Sequence, residues 1–147
     1  MIQTVPSAGV TNGERFERVG LYAAAEVVAD TRREFADWLD RCFDLDPDQS
    51  SDVVLAINEA LANAAEFAYI LAERPGTVDV RAEYDSAGQQ LTVWISDYGL
   101  WRTQAASRSR NRGRGIPLMH ALSDGVEIDT SARGTQVCMR WTGVARR

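Results

Sequence analysis

Four short constellations in this chain carry groups that could recognise a polar ligand. Glu59 and Asn63 stand four residues apart in a helical pattern, so a carboxylate and a carboxamide share one helix face, with Glu66 on it as well. A solvated helix face is the plain account of such a pair. Asp97 continues the alternation Leu91, Val93, Ile95 and so turns its carboxylate inward. There it must be met by backbone amides or by a ligand donor such as an adenine amino group, and Gly99 removes bulk where a flat base would approach. Gly113-Arg114-Gly115 precedes a short helical pattern, an arrangement whose exposed amides and positive helix end suit phosphate. Gly134-Thr135 opens the last strand with a hydroxyl at the core's edge, which a turn glycine and a strand threonine explain equally well.

The elements that must position these residues can be read from periodicity. Arg15 to Leu21 is a short, imperfect strand, with Phe16 in one register and Val19 and Leu21 in the other. From Ala24 to Cys42 a first helix carries Val27, Val28, Phe35, Trp38 and Leu39, with Phe43 continuing the spacing until Pro47 stops it. Ser50 or Ser51 is expected to cap a second helix, whose stripe Val53, Ile57, Ala60, Leu61, Ala64 and Ala68 closes at Pro75-Gly76. A hairpin follows, Val78 to Tyr84 and Leu91 to Ile95, turning between Asp85 and Gln90. A glycine- and arginine-rich loop runs from Gly99 to Gly115, then a short helix from Ile116 to Leu122. Two strands end the chain, one through Val126 and Ile128 and one through Thr135, Val137, Met139 and Trp141, joined by a turn at Ser131 to Gly134. Helices followed by a largely antiparallel sheet make an α+β fold with the helices layered on one face.

Composition narrows the function classes. At 147 residues, with 45% hydrophobic and 25% charged residues, the chain suits one globular domain without internal repeats. No apolar run approaches the roughly 20 residues of a membrane helix, and Met1 to Gly13 lacks the basic start and apolar centre of a secretory signal. A soluble, cytoplasmic protein is therefore expected. The net charge of -5 hides the crowding of Arg102, Arg108, Arg110, Arg112 and Arg114 into one stretch, which fits local anion binding and argues against general nucleic-acid binding. Cys42 and Cys138 have no ligand spacing and read as free thiols.

The order of the constellations is more specific than any one of them. Glu59-x-x-x-Asn63-Ala64 on a long helix, Asp97-x-Gly99 after a strand, Gly113-x-Gly115 before a short helix, then Gly134-Thr135, resembles the N, G1, G2 and G3 boxes of the GHKL ATPases. The stretches LAINEALANAAEFAY, WISDYG, RGRGIPLMHALSDGVEI and RGTQVCMRW are similar to the anti-sigma-factor serine kinases, and the likeness covers about residues 14 to 142. It implies a Bergerat-type two-layer sandwich, helices on a mixed, mostly antiparallel sheet, with ATP between the long helix and the loop. A flexible tail over residues 1–13 would precede an ATPase domain over 14–147. By position, Glu59 would be the general base acting on a protein serine, and Asn63 would ligate Mg2+. Asp97 would bind the adenine amino group, Gly99 would admit the base, Thr135 would support the contact through a water, and Gly113 and Gly115 would let the lid wrap the phosphates. The implied partners are a sigma factor and an anti-anti-sigma protein of the STAS fold, whose serine is the substrate, and the chain would pair as a homodimer.

Two positions depart from the family pattern. Phe67 stands where relatives often show histidine, and Trp101 where many continue with a second glycine; Trp101 is expected to pack at the root of the lid. His120 is expected to be structural, which argues against a self-phosphorylating histidine kinase. A binding module that holds ATP without transferring phosphate is the alternative, and a module belonging to a larger regulator is a third reading.

Overall fold

A computed structural model describes residues 15–68, 76–99 and 110–147, so the expected tail, Trp101 and most of the arginine-rich loop lie outside the described residues. Strand β1 (Arg15–Tyr22) leads to helix α1 (Ala25–Cys42), a two-residue strand β2 (Phe43–Asp44) and helix α2 (Pro47–Asn63), which runs on into a π turn (Ala64–Ala68). Then come β3 (Thr77–Asp85), β4 (Gln90–Asp97), helix α3 (Arg110–Leu122), β5 (Gly125–Ser131), β6 (Gly134–Trp141) and β7 (Ala145–Arg146). The main sheet has five strands in the order β1-β3-β4-β6-β5, and every described pairing is antiparallel. β2 and β7 form a separate two-stranded ribbon that ties the end of the chain to the end of α1, and the sequence periodicity does not reveal it.

Alternation places the core. Val78, Val80, Ala82 and Tyr84 of β3, Leu91, Val93 and Ile95 of β4, and Val137, Met139 and Trp141 of β6 are buried against the helices, as the period-2 pattern requires. β1 reads imperfectly because its register shifts between Arg18 and Leu21, where Gly20 takes a φ of +73°. Such a bulge inserts an extra residue and reverses the facing of the rest of the strand, so Phe16 and Leu21 both turn toward the core despite opposite parity. Val19, expected to share Leu21's side, is 67% exposed instead.

Phe35, Trp38 and Leu39 of α1 are buried, and Phe16, Phe35 and Trp38 pack with ring centroids 5.4–5.5 Å apart. Phe43 leaves the helix for β2 but joins the same cluster, 5.2 Å from Trp38 and 4.7 Å from Tyr84, whose hydroxyl donates to the Val144 carbonyl. These aromatics fill the core at the Tyr84–Leu91 end of the sheet. Its other end, at Asp97, is left for polar groups.

Two helix starts differ from expectation for identifiable reasons. The N-cap of α2 is Asp46, whose carboxylate accepts from the Gln49 N–H at 2.8 Å; Ser50 and Ser51 lie inside the helix. Helix α1 ends at Cys42, ahead of the stop expected at Pro47, and Pro47 instead opens α2, because its fixed φ and missing N–H suit the first helical position. Helix α3 begins at Arg110, six residues before the expected Ile116, so Gly113 and Gly115 sit inside the helix instead of ahead of it. Packing of α3 on α2 outweighs the helix penalty of two glycines, about 1 kcal/mol each. Pro117 lies within α3, and its missing N–H leaves the Gly113 carbonyl without its helical partner.

Asp46→Ala should lower unfolding free energy by about 1 kcal/mol in urea titration, since an orphan helix amide loses its acceptor. Val19→Thr, on the exposed side of the bulge, should change it by less than about 0.5 kcal/mol.

Candidate nucleotide site

The polar residues singled out by spacing converge on one end of the sheet and the helix edge above it. On α2 Asn63 is 4% exposed and its amide nitrogen has no hydrogen-bond partner among the described residues, while Glu59, one turn earlier, is half-buried. Glu66 does not stay with them: the α-helix gives way to the π turn directly after Asn63, the wider turn breaks the 3.6-residue period, and Glu66 is exposed. That π turn packs against β4, the strand that ends in Asp97.

Asp97 is 5% exposed and one carboxylate oxygen accepts from the Gly99 N–H at 3.1 Å. Its cross-strand partner on β6 is Thr135, itself 2% exposed, with a hydroxyl that has no hydrogen-bond partner among the described residues. The first and last boxes of the sheet, 38 positions apart in sequence, are thus neighbours on one inward row, completed by Val78 of β3. Gly99 is buried beside them.

Gly134 belongs to the site although its side chain is absent. Its φ is +144°, and a Cβ added there would stand 2.0 Å from the Asp97 carbonyl oxygen and 2.7 Å from the Tyr98 Cα. No other residue lets β6 approach the end of β4 so closely. A second support was invisible in the sequence: Asp79 accepts from the Gly20 N–H at 2.8 Å and from the Tyr98 hydroxyl, so the β1 bulge and the residue after Asp97 are held by one carboxylate. Only the cross-strand register brings those three positions together, so spacing carries no trace of them.

The donor set fits a nucleotide. A buried hydroxyl and a buried amide nitrogen without partners among the described residues would each cost about 1–3 kcal/mol if left unmet, and both lie among the residues whose order resembles an ATP site. Asp97 offers a carboxylate acceptor facing the same interior row. Gly113 and Gly115 lie in the early turns of α3, which packs against α2, and three arginines, 110, 112 and 114, share those turns. Among the described residues no group of three His, Cys, Asp or Glu side chains could hold a metal, so a divalent ion here would draw most of its ligands from phosphate and water. His120 is on the exposed side of α3, which removes it from any packing role. Cys42 and Cys138 are free, and burial pushes both thiols up from their ordinary range, so neither is a ready thiolate. The side chain of Phe67 lies outside the described residues. No described helix is long and apolar enough to cross a membrane.

Thr135→Val should raise unfolding free energy by about 1 kcal/mol, because a buried hydroxyl without a partner is removed, while weakening nucleotide binding. Gly134→Ala should lower it by roughly 2–4 kcal/mol, since the backbone is strained and the strands must separate. Urea unfolding and nucleotide titration of both variants would check the opposite signs.

Comparison with known proteins agrees with this fold. The chain is 31% identical over 103 residues to Sensor histidine kinase PdtaS from two strains of Mycobacterium tuberculosis, covering 65% of this chain and 20% of that protein. It therefore spans about a fifth of the length of the curated relatives it matches. Its fold resembles the crystal structure of the RsbU and RsbW domains of Rv1364c from Mycobacterium tuberculosis, with a TM-score of 0.69 at 21% identity over 90% of this chain and 33% of that one. It also resembles the histidine kinase domain of the Erythrobacter litoralis EL346 blue-light activated histidine kinase, with a TM-score of 0.53 at 15% identity over 93% and 71% of the two chains. Residues 21–141 match the family described as the histidine kinase-like ATPase domain, and with its α+β sandwich in place the chain belongs to that family, within the GHKL superfamily.

Proposed function

We propose that this domain is an ATP-dependent serine kinase that acts as an anti-sigma factor, phosphorylating a serine of a STAS-type antagonist and sequestering a sigma factor. Family membership implies ATP binding, ordinarily with Mg2+, and supports kinase activity in general. The observation that carries the reading is the inward polar row, Asp97 beside Thr135, with an unmatched hydroxyl on Thr135 and an unmatched amide on Asn63 above it. The serine and sigma-factor parts rest on the sequence stretches similar to anti-sigma-factor kinases, and the fold likeness to the RsbU–RsbW protein is compatible with them.

In this reading Asp97 accepts a hydrogen bond from the adenine amino group, Thr135 supports that contact through a water, and Gly99 leaves room for the base. Gly113 and Gly115 let the lid segment follow the phosphates, and Asn63 would hold Mg2+, which would supply charge neutralisation at the phosphate oxygens. Glu59 takes the proton of the acceptor serine as its oxygen bonds to the γ-phosphorus and the bond to ADP breaks. Little covalent chemistry is asked of the protein, so positioning and electrostatics carry most of the rate.

Isothermal titration with an ATP analogue and Mg2+ should show binding that Asp97→Asn weakens roughly 10- to 100-fold, the worth of a hydrogen bond to a charged group. With labelled ATP and purified STAS-domain proteins of the same genome, Glu59→Gln should cut phosphate transfer about 10²- to 10⁴-fold without changing nucleotide affinity. Unchanged transfer would remove Glu59 from the role, and nucleotide binding without transfer to any of these proteins would leave a non-catalytic ATP-binding module. The likeness to PdtaS favours a second reading, the ATP-binding part of a histidine kinase. Acid-labile phosphate on a histidine of a partner segment, in place of acid-stable phosphoserine, would establish it.

A further inference from the structure

β4 stops at the residue it supplies to the site. Its pairing with β3 and β6 runs as far as Asp97, opposite Val78 on one side and Thr135 on the other. Strand ends open at lower cost than strand centres, so Asp97 occupies the rung of the ladder most prone to fray. Tyr98 comes next. It is 54% exposed, and with Asp79 and Ser96 it lines a cavity of about 220 Å³ on the face of the sheet away from the helices, so burial does little to hold it. Its hydroxyl reaches back along that face and donates to Asp79 of β3, which stands opposite Ser96. The other carboxylate oxygen of Asp79 accepts from the Gly20 N–H at 2.8 Å. Gly20 lies inside the register shift of β1, where a Cβ would meet nothing within 4 Å; it is the φ of +73° that favours glycine.

Three contacts therefore meet residues 97–99 from different directions. Within the segment, the Gly99 N–H donates to the Asp97 carboxylate at 3.1 Å. From β6, the backbone of Gly134 lies against the Asp97 carbonyl and the Tyr98 Cα. From the outer face, the Tyr98 phenol is tied to Asp79 and through it to the edge strand. Anchoring that ring fixes the backbone between Asp97 and Gly99.

We infer that Asp79 and Tyr98 form a latch on the outer face of the sheet that keeps the end of β4 closed, and so are positioning residues for nucleotide binding through Asp97. This rests on the reading of Asp97 as a nucleotide contact. The latch lies on the opposite face from the inward row of Asp97 and Thr135 and touches no nucleotide. What it sets is the fraction of molecules in which Asp97 is in place, and apparent affinity falls in proportion to that fraction. One exposed hydrogen bond is a small part of the stability of the whole domain but a large part of what holds a strand end.

Tyr98→Phe removes one exposed oxygen and keeps the ring, so it tests the latch without threatening the fold; Asp79→Ala and Asp79→Asn complete the set, all in the full chain. Tyr98→Phe and Asp79→Ala should keep a cooperative urea transition, speed amide hydrogen exchange at Gly99 about 5-fold or more, and weaken binding of an ATP analogue with Mg2+ about 3- to 10-fold. The Asp79→Asn carboxamide can still accept from Gly20 and bond to the Tyr98 hydroxyl, so both readouts should stay within about twofold of wild type. Because the latch acts through Asp97, Tyr98→Phe added to Asp97→Asn should weaken binding less than about twofold further, where a general loosening would add its full factor. Unchanged exchange or unchanged affinity in Tyr98→Phe overturns the latch and leaves the nucleotide site standing, as does full additivity with Asp97→Asn. If Asp97→Asn alone binds as wild type does, or wild type binds no nucleotide, the reading of Asp97 fails and the latch fails with it.

Discussion

The pairing of Asp97 with Thr135 across β4 and β6 is the contact on which the functional end of this molecule depends. It requires β6 to begin against the backbone of residues 97 and 98, an approach that only a residue without a Cβ permits, and Gly134 supplies it with a φ of +144°. Once that register is set, alternation does the rest: the two residues that continue the hydrophobic inward rows of the neighbouring strands, Asp97 at the end of β4 and Thr135 at the start of β6, are a carboxylate and a hydroxyl, facing the interior together. A polar group at the end of an otherwise apolar sheet face is costly unless something meets it, and the Thr135 hydroxyl finds no partner among the described residues.

The two ends of the sandwich divide stability from recognition. At the Tyr84–Leu91 end the aromatic cluster fills the space between α1 and the sheet, and the chain's last residues close over it through the β2–β7 ribbon and the Tyr84 hydroxyl. At the Asp97 end the core gives way to Asn63, Asp97 and Thr135, and α2 relaxes into a π turn just where it meets β4. A helix that runs from packed core to polar edge can hold Glu59 and Asn63 rigidly, because its stripe Val53, Ile57, Ala60 and Leu61 is buried along the way.

The sequence set out much of this. Period-2 alternation defined β3, β4 and β6 and turned Asp97 and Thr135 inward; helical spacing put Glu59 and Asn63 on one face; and the order of the boxes named the family that the comparisons then showed. These are local properties, in which a residue's own neighbours decide which way it points. Misreadings occurred where a longer-range influence acted. Asp46 displaced Ser50 and Ser51 as the cap because Pro47 opened the second helix instead of ending the first, and α3 began at Arg110 because α2 gave it a surface that outweighed its glycines.

The tertiary structure was left to decide adjacency. Nothing in the spacing says that Gly134 must touch the backbone of Asp97, that Asp79 ties Gly20 to Tyr98, or that Arg32 of one helix meets Asn58 of the next. Those contacts join residues 37, 59, 19 or 26 positions apart, and they arise from register and packing that no single segment contains. Sequence by itself determined which side chains face the interior, because periodicity is written residue by residue. Which of them meet, and at what distance, was fixed only when helices and strands packed into one sandwich.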